Sequence, residues 1–280
     1  PREDDTRQAK TYSPALTNRE LGQTISALGI QKANTEAWQM LLLGVLAGLY
    51  IGFGGHVYLV AMSQRLGSII AGAAFGVGLV LVVIAGAELF TGDVIMLVGA
   101  VSRHFSPGQL LRAWTIVYIG NFIGAYLFAW GVWEAGLLGT PGSLNALGET
   151  AAAAAGAKLA LPFAQAFIRG FFCNILVLLA IIMATLCRDV ISKVICCILP
   201  IMVFVACGFE HCVANMTIIP LGLLARGGEL TTHLSMFRNL VPVTLGNIAG
   251  GVFILFIHPN RIRQLAHLMH ARPGPASGDS

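Results

Sequence analysis

Residues 208–215 read GFEHCVAN and lie between two strongly apolar stretches, VICCILPIMVFVAC before and MTIIPLGLL after. Within them, Glu210 and His211 are the residues best able to do chemistry. A carboxylate holds charge or accepts hydrogen bonds, and a histidine titrates near neutral pH and can give or take a proton. A second polar run, GAELFTGD at 86–93, sets Glu88, Thr91 and Asp93 between LVVIA and VIMLV. A charge in mid-membrane costs about 2.5–3.5 kcal/mol on insertion scales, so such residues tend to be kept for a use. Cys207, His211 and Cys212 also raise a rival reading as metal ligands. No HExxH, GxSxG or paired CxxC motif accompanies them, and the six cysteines read as small buried hydrophobes.

The elements around these residues are those of a polytopic membrane protein. Of 280 residues, 56% are hydrophobic, 11% are charged and 33 are glycine. A soluble domain carries about a quarter charged residues. The net charge of +4 is not gathered into a patch that would fit nucleic acid. Hydropathy predicts six spans, at roughly 38–62, 68–101, 110–133, 159–186, 194–225 and 239–258. Arg65, Lys158, Arg226 and Arg238 fall in the loops of one side and Arg169 inside a span. The other twelve basic residues fall on the side of the termini, so both termini are expected in the cytoplasm. The chain divides into a cytoplasmic segment at 1–35, a six-span domain at 36–259 and a largely disordered tail at 260–280. Within the first, Thr17 and Glu20 have capping-box spacing and Leu21, Ile25 and Leu28 share a face, which predicts a helix lying along the interface.

The two polar runs belong to a repeat. Gly86, Glu88 and Asp93 fall on Gly208, Glu210 and Asn215 at one offset. GNFIG at 120–124 falls on GNIAG at 246–250 at another, and Gln39 and Gly44 fall on Gln165 and Gly170. Three spans per half is odd, so the halves must be inverted, and the second and fifth spans are expected to be interrupted near the midplane. Gly86, Gly92 and Gly208 supply backbone freedom for the breaks. ELFTG (88–92) and GFEHC (208–212) are the expected loops. Glu88 and Glu210, with Asn215, are expected as polar braces, the carboxylates accepting backbone N–H groups freed there. His211 breaks the symmetry, since Leu89 holds its place in the first half.

AGAELFTG, CNILV, GFEHCVANM and NLVPVTLGNIAGG resemble the motifs of the formate–nitrite transporter family, over about residues 32–258. GFEHCVANM and NLVPVTLGNIAGG look closest to the formate channel, and RGFFCNILV more like the nitrite branch. The resemblance implies an all-α membrane protein whose protomer is aquaporin-like, with six transmembrane helices as two inverted three-helix repeats and two interrupted helices. It implies a homopentamer in the cell membrane with one pore per protomer and no cofactor. Carried over by motif, the pore centre is His211, Thr91 and Asn174, and Lys158 is a vestibule lysine. The outer hydrophobic constriction is Phe75, Leu79 and Phe204, and the inner one Leu89, Phe90 and Val177. Lys32 matches a cytoplasmic lysine, while Asp93 stands where Asn or Ser is common.

The activity these expectations describe is passage of small monovalent weak-acid anions: formate first, then nitrite, acetate, lactate and hydrosulfide. A bare anion in hydrocarbon is too costly to cross, and desolvation makes it more basic, so a proton is expected to travel with it through His211. No enzymatic activity is expected. A neutral-solute channel of the aquaporin type is the alternative, disfavoured by the missing NPA boxes and by the histidine.

Overall fold

The computed structural model describes residue 13 and residues 15–140, 142–227 and 230–257. The tail at 260–280 and the first 12 residues lie outside them. Helix α1 (Asn18–Asn34) starts in the capping box that Thr17 and Glu20 spell: the Glu20 amide donates to Thr17 Oγ1 at 3.3 Å and the Thr17 amide to Glu20 Oε2 at 2.7 Å. It docks on the bundle, with Leu21 and Ile25 packed in one apolar cluster with Val94, Ile95, Leu178 and Ile182. Leu28, placed on the same face by the sequence, is exposed.

The spans follow from long apolar runs that satisfy their own backbone groups as helices. Helix α2 is Ala37–Ser63; α3 (Ser68–Phe75) and α4 (Val77–Ala85) run on as one span. After a break come α5 (Phe90–Asp93), a 3-10 turn at Val94–Met96 and α6 (Leu97–Val101). Helix α7 is Pro107–Glu134, opened by a Ser106–Gln109 capping box with proline at its first position. A short hairpin, β1 (Gly139–Thr140) with β2 (Ser143–Leu144), leads to α8 (Ala146–Leu159). Then follow α9 (Phe163–Leu186), α10 (Val190–Ala206), α11 (Cys212–Ala225), α12 (Leu230–His233), a 3-10 turn at Leu234–Met236 and α13 (Phe237–Ile257). Among the described residues five helices are long and apolar enough to cross a membrane, and α10 with α11 divides the sixth crossing between them. Large apolar side chains such as Trp38, Phe53, Leu127 and Phe163 face outward, as lipid or subunit contact requires.

Three expectations need correction. The fourth span does not begin at 159: Ala-rich α8 is a separate helix, and Pro162, at the N-cap of α9, holds the chain extended between the two. The first break is shorter than ELFTG, since helix resumes at Phe90. Gly92 is helical and not needed for that break. At the two breaks the left-handed turns fall on Gly86 (φ 79°) and Gly208 (φ 71°), which end α4 and α10.

The repeat is expressed in packing. Helix α2 lies against α7 and α9 against α13. At the crossings a Cβ on Gly44 would sit 3.1 Å from the Val117 carbonyl oxygen, and one on Gly170 2.7 Å from that of Val243. Each pair comes from the same places in its half, so the two small-residue crossings are one contact built twice.

Candidate pore and its polar centre

Each break frees backbone groups inside the bundle, and an asparagine from the facing helix takes them up. On α7, Asn121 Nδ2 donates to the carbonyls of Gly44 and Glu88, both at 2.9 Å, and its Oδ1 accepts the Phe90 amide at 2.9 Å. On α13, Asn247 Nδ2 donates to Gly170 at 2.8 Å and Glu210 at 2.9 Å, and its Oδ1 accepts the Cys212 amide at 2.9 Å. The amides of Glu88 and Glu210 donate to the Leu43 and Arg169 carbonyls of the neighbouring spans. Bracing is therefore the work of two asparagines that GNFIG and GNIAG already paired. The expected role of the two glutamates as acceptors of freed backbone N–H groups is replaced by another.

Both carboxylates meet ammonium groups. Glu210 accepts from Lys158 Nζ at 3.0 and 3.1 Å and from Asn215 Nδ2 at 2.6 Å. The network closes through Asn215 Nδ2 to Asn239 Oδ1 at 2.7 Å and Asn239 Nδ2 to the Lys158 carbonyl at 3.0 Å. Glu88 pairs with Lys32, which also pairs with Asp93. Burial works against the Lys32 charge, but the Asp93 and Glu88 carboxylates outweigh it and hold the ammonium above the ordinary lysine range.

Between the braces, His211 caps α11: its Nδ1 accepts the Ala214 amide at 3.1 Å. That bond leaves the ring proton on Nε2, which lies 2.9 Å from Thr91 Oγ1 and donates to it. Thr91 then keeps its own hydroxyl proton to give elsewhere. Asn174 Nδ2 donates to the Thr91 carbonyl at 3.2 Å and the Asn247 carbonyl at 2.7 Å, which fixes its amide orientation. Its Oδ1 is buried without a hydrogen-bond partner among the described residues. All three side chains are at most 3% exposed, so they form one dry centre between the two breaks.

On one side of this centre the Phe204 ring stacks on the His211 imidazole at 5.9 Å and meets the Phe75 ring edge-on at 5.7 Å, with Leu79 buried nearby in the same core. Beyond them a cavity of about 180 Å³ is lined by Phe75, Phe204, Lys158, Arg169 and Glu210. On the other side a cavity of about 340 Å³ reaches Leu89, Lys32, Glu88 and Asp93. Phe90 and Val177 are buried but do not line that cavity, and the Phe90 ring packs on Trp114 and Tyr118 of α7. Among the described residues no three His, Cys, Asp or Glu side chains are grouped to hold a metal.

The family model described as formate/nitrite transporter matches residues 19–259. The chain belongs to that family. The formate channel FocA of Haemophilus influenzae is 33% identical over 88% of this chain and 94% of its own length. A probable formate transporter of Methanothermobacter thermautotrophicus is 39% identical over 87% and 94%. Among solved structures, a pentameric formate channel with formate bound matches with a TM-score of 0.70 and 35% identity, over 83% of this chain and 98% of that one. An FNT family ion channel matches with a TM-score of 0.75 and 29% identity, over 91% and 100%. The protein is thus a transporter of an all-α membrane family and not an enzyme.

Proposed function

We propose that this formate/nitrite transporter passes small monovalent weak acids, formate first, together with a proton, through a pore centred on His211, Thr91 and Asn174. It would do so as a homopentamer in the cell membrane with both termini in the cytoplasm, which puts the Lys32 cavity inside and the Lys158 cavity outside. The carrying observation is the bonding capacity left at the centre. Thr91, which accepts from His211 Nε2, has one hydroxyl proton to give, and Asn174 Oδ1 has no donor among the described residues. A carboxylic acid offers one C=O acceptor and one O–H donor, the complement of that pair, whereas a carboxylate offers no donor at all.

The steps follow from solvation. The anion enters the outer cavity, where Lys158 and Arg169 offset Glu210. At Phe75, Leu79 and Phe204 it loses water, and its charged form becomes harder to keep. A proton from acid in the outer water, taken directly or relayed by the His211–Thr91 pair, which regains one from the same water, then makes it neutral, and the acid crosses. Nitrite, acetate, lactate and hydrosulfide are the further substrates that fit the same solvation argument.

The test is uptake of labelled formate into liposomes holding the purified protein, with and without an inward proton gradient. Accumulation driven by the gradient supports joint movement; equilibration regardless of the gradient would reject it. His211→Phe is expected to abolish flux with the oligomer intact, and full flux in that variant refutes the pore histidine.

A further inference from the structure

We propose that Asp93 is a proton-carrying residue at the inner mouth, held with Glu88 on the Lys32 ammonium, and that flux requires its protonated form. This rests on the transport reading above and adds a site to it.

The observation is an imbalance between two otherwise matching clusters. At the outer mouth one lysine meets one carboxylate, and the third member is a neutral amide: Asn215 Nδ2 donates to Glu210 Oε2 at 2.6 Å. At the inner mouth the same lysine–glutamate pair recurs, but the third member is Asp93. The inner cluster therefore holds two carboxylates against one ammonium. Asp93 is 1% exposed and the Glu88 side chain 16%, so the excess charge is screened little by water. Among the described residues no other charged group lines the 340 Å³ cavity there. Helix α1 contributes Lys32 and the uncharged Gln31, α4 contributes apolar side chains, and α9 contributes Ile181 and the Thr185 hydroxyl. From α7, the Trp114 indole N–H donates to the Asp93 carbonyl and not to its carboxylate.

One added proton removes the imbalance and completes the likeness. A protonated Asp93 carries an O–H where Asn215 carries an N–H, and it can donate to Glu88 as Asn215 donates to Glu210. The ionised cluster, by contrast, places a net negative charge beside Leu89, on the path of an anion. The proton comes from acid dissolved in the water of the inner mouth. It converts the Asp93 carboxylate to a carboxyl and returns to that water, and no other bond forms or breaks.

The experiment pairs infrared titration of the lipid-embedded protein with formate flux measured as pH is varied on the inner face alone. The wild-type protein is expected to show the C=O stretch of a protonated carboxyl that disappears as pH rises, and flux that falls with it. The fall should approach about tenfold per pH unit, the limit for one proton. Asp93→Asn is expected to lose the band and the fall in flux that tracks it, leaving only the dependence that the proton gradient imposes; Asp93→Glu is expected to restore both. A band unchanged in Asp93→Asn, or superimposable flux profiles, overturns the proposal. Where Asp93→Asn does not assemble, Lys32→Gln serves: its flux profile should move to more alkaline pH, and an unmoved profile overturns the proposal equally. A titrating band in a wild-type protein that passes no formate would reject the transport reading and leave the proton site standing.

Discussion

Replacing Asn247 by alanine removes three hydrogen bonds at once: two to the carbonyls of Gly170 and Glu210 and one from the Cys212 amide. All three backbone groups stay inside the bundle, since Asn247 is fully buried. Side-chain hydrogen bonds between membrane helices average about 0.6 kcal/mol each, which puts the loss near 2 kcal/mol. Leaving a buried backbone group unsatisfied costs about 1–3 kcal/mol, and the two that no helix pairs, the Glu210 carbonyl and the Cys212 amide, push the total toward about 5 kcal/mol if they find no water. The expected range is therefore about 2–5 kcal/mol, read as the shift in reversible unfolding by SDS in mixed micelles. Asn121→Ala removes the same three bonds from the other half and should cost the same within about 1 kcal/mol. Formate flux should fall in Asn247→Ala, because the brace at Cys212 sets the start of the helix that His211 caps. A loss below about 0.5 kcal/mol in either variant would refute the account of the two asparagines as the members that hold the breaks.

Three further outcomes test other parts of the structure. Gly170→Ala sets a methyl against the Val243 backbone at 2.7 Å and should destabilise the protein by about 1–3 kcal/mol in the same unfolding assay. Lys158→Met leaves Glu210 without its counter-charge at the outer mouth and should lower formate uptake more than the double replacement with Glu210→Gln; uptake equal in the two would separate the lysine's role from its ion pair. The start of α1 should loosen in acid. Hydrogen bonds from Thr17, assisted by Arg188, hold Glu20 below its ordinary value of 4.5. The stability its charge adds is then present above 4.5 and lost as pH falls through the depressed value, so amide exchange at residues 18–21 should quicken only at acid pH.

The spans, both breaks and the repeat were legible because hydropathy, polar residues in mid-span and recurrent glycines are local signals. Gly86 and Gly208 do take the left-handed turns, but Gly92 looked the same on paper and is helical. Helix α8 was missed because it is too short to span, and its alanines carry no periodic contrast. The least legible features join distant segments. Lys32 to Glu88 and Lys158 to Glu210 are matching ion pairs, yet each closes across more than fifty residues and a different helix. Asn121 and Asn247 sat in the very pentapeptides that established the repeat. Their role was hidden because a side-chain amide reveals nothing about which carbonyl it faces until two helices are packed.

Where the halves agree, most of the residues concern the scaffold: glycine crossings and asparagine braces. Where they differ, the residues are those proposed above to serve passage. His211 stands opposite Leu89, Asn215 opposite Asp93, and Asn174 occupies the place that Gly48 holds in the first half, where a Cβ would strike the Asn121 carbonyl. A scaffold repeated in both halves can hold two breaks open at equal cost, but an identical pair of breaks would face the substrate with identical chemistry from either side. Placing the imidazole on one break and the hydroxyl on the other gives a hydrogen bond, Nε2 to Oγ1, that joins the halves beside the one from Asn174 Nδ2 to the Thr91 carbonyl. A shift of one half against the other along that line changes its length. The contact that orients the ring's proton is thus also a contact that depends on the relative position of the two repeats.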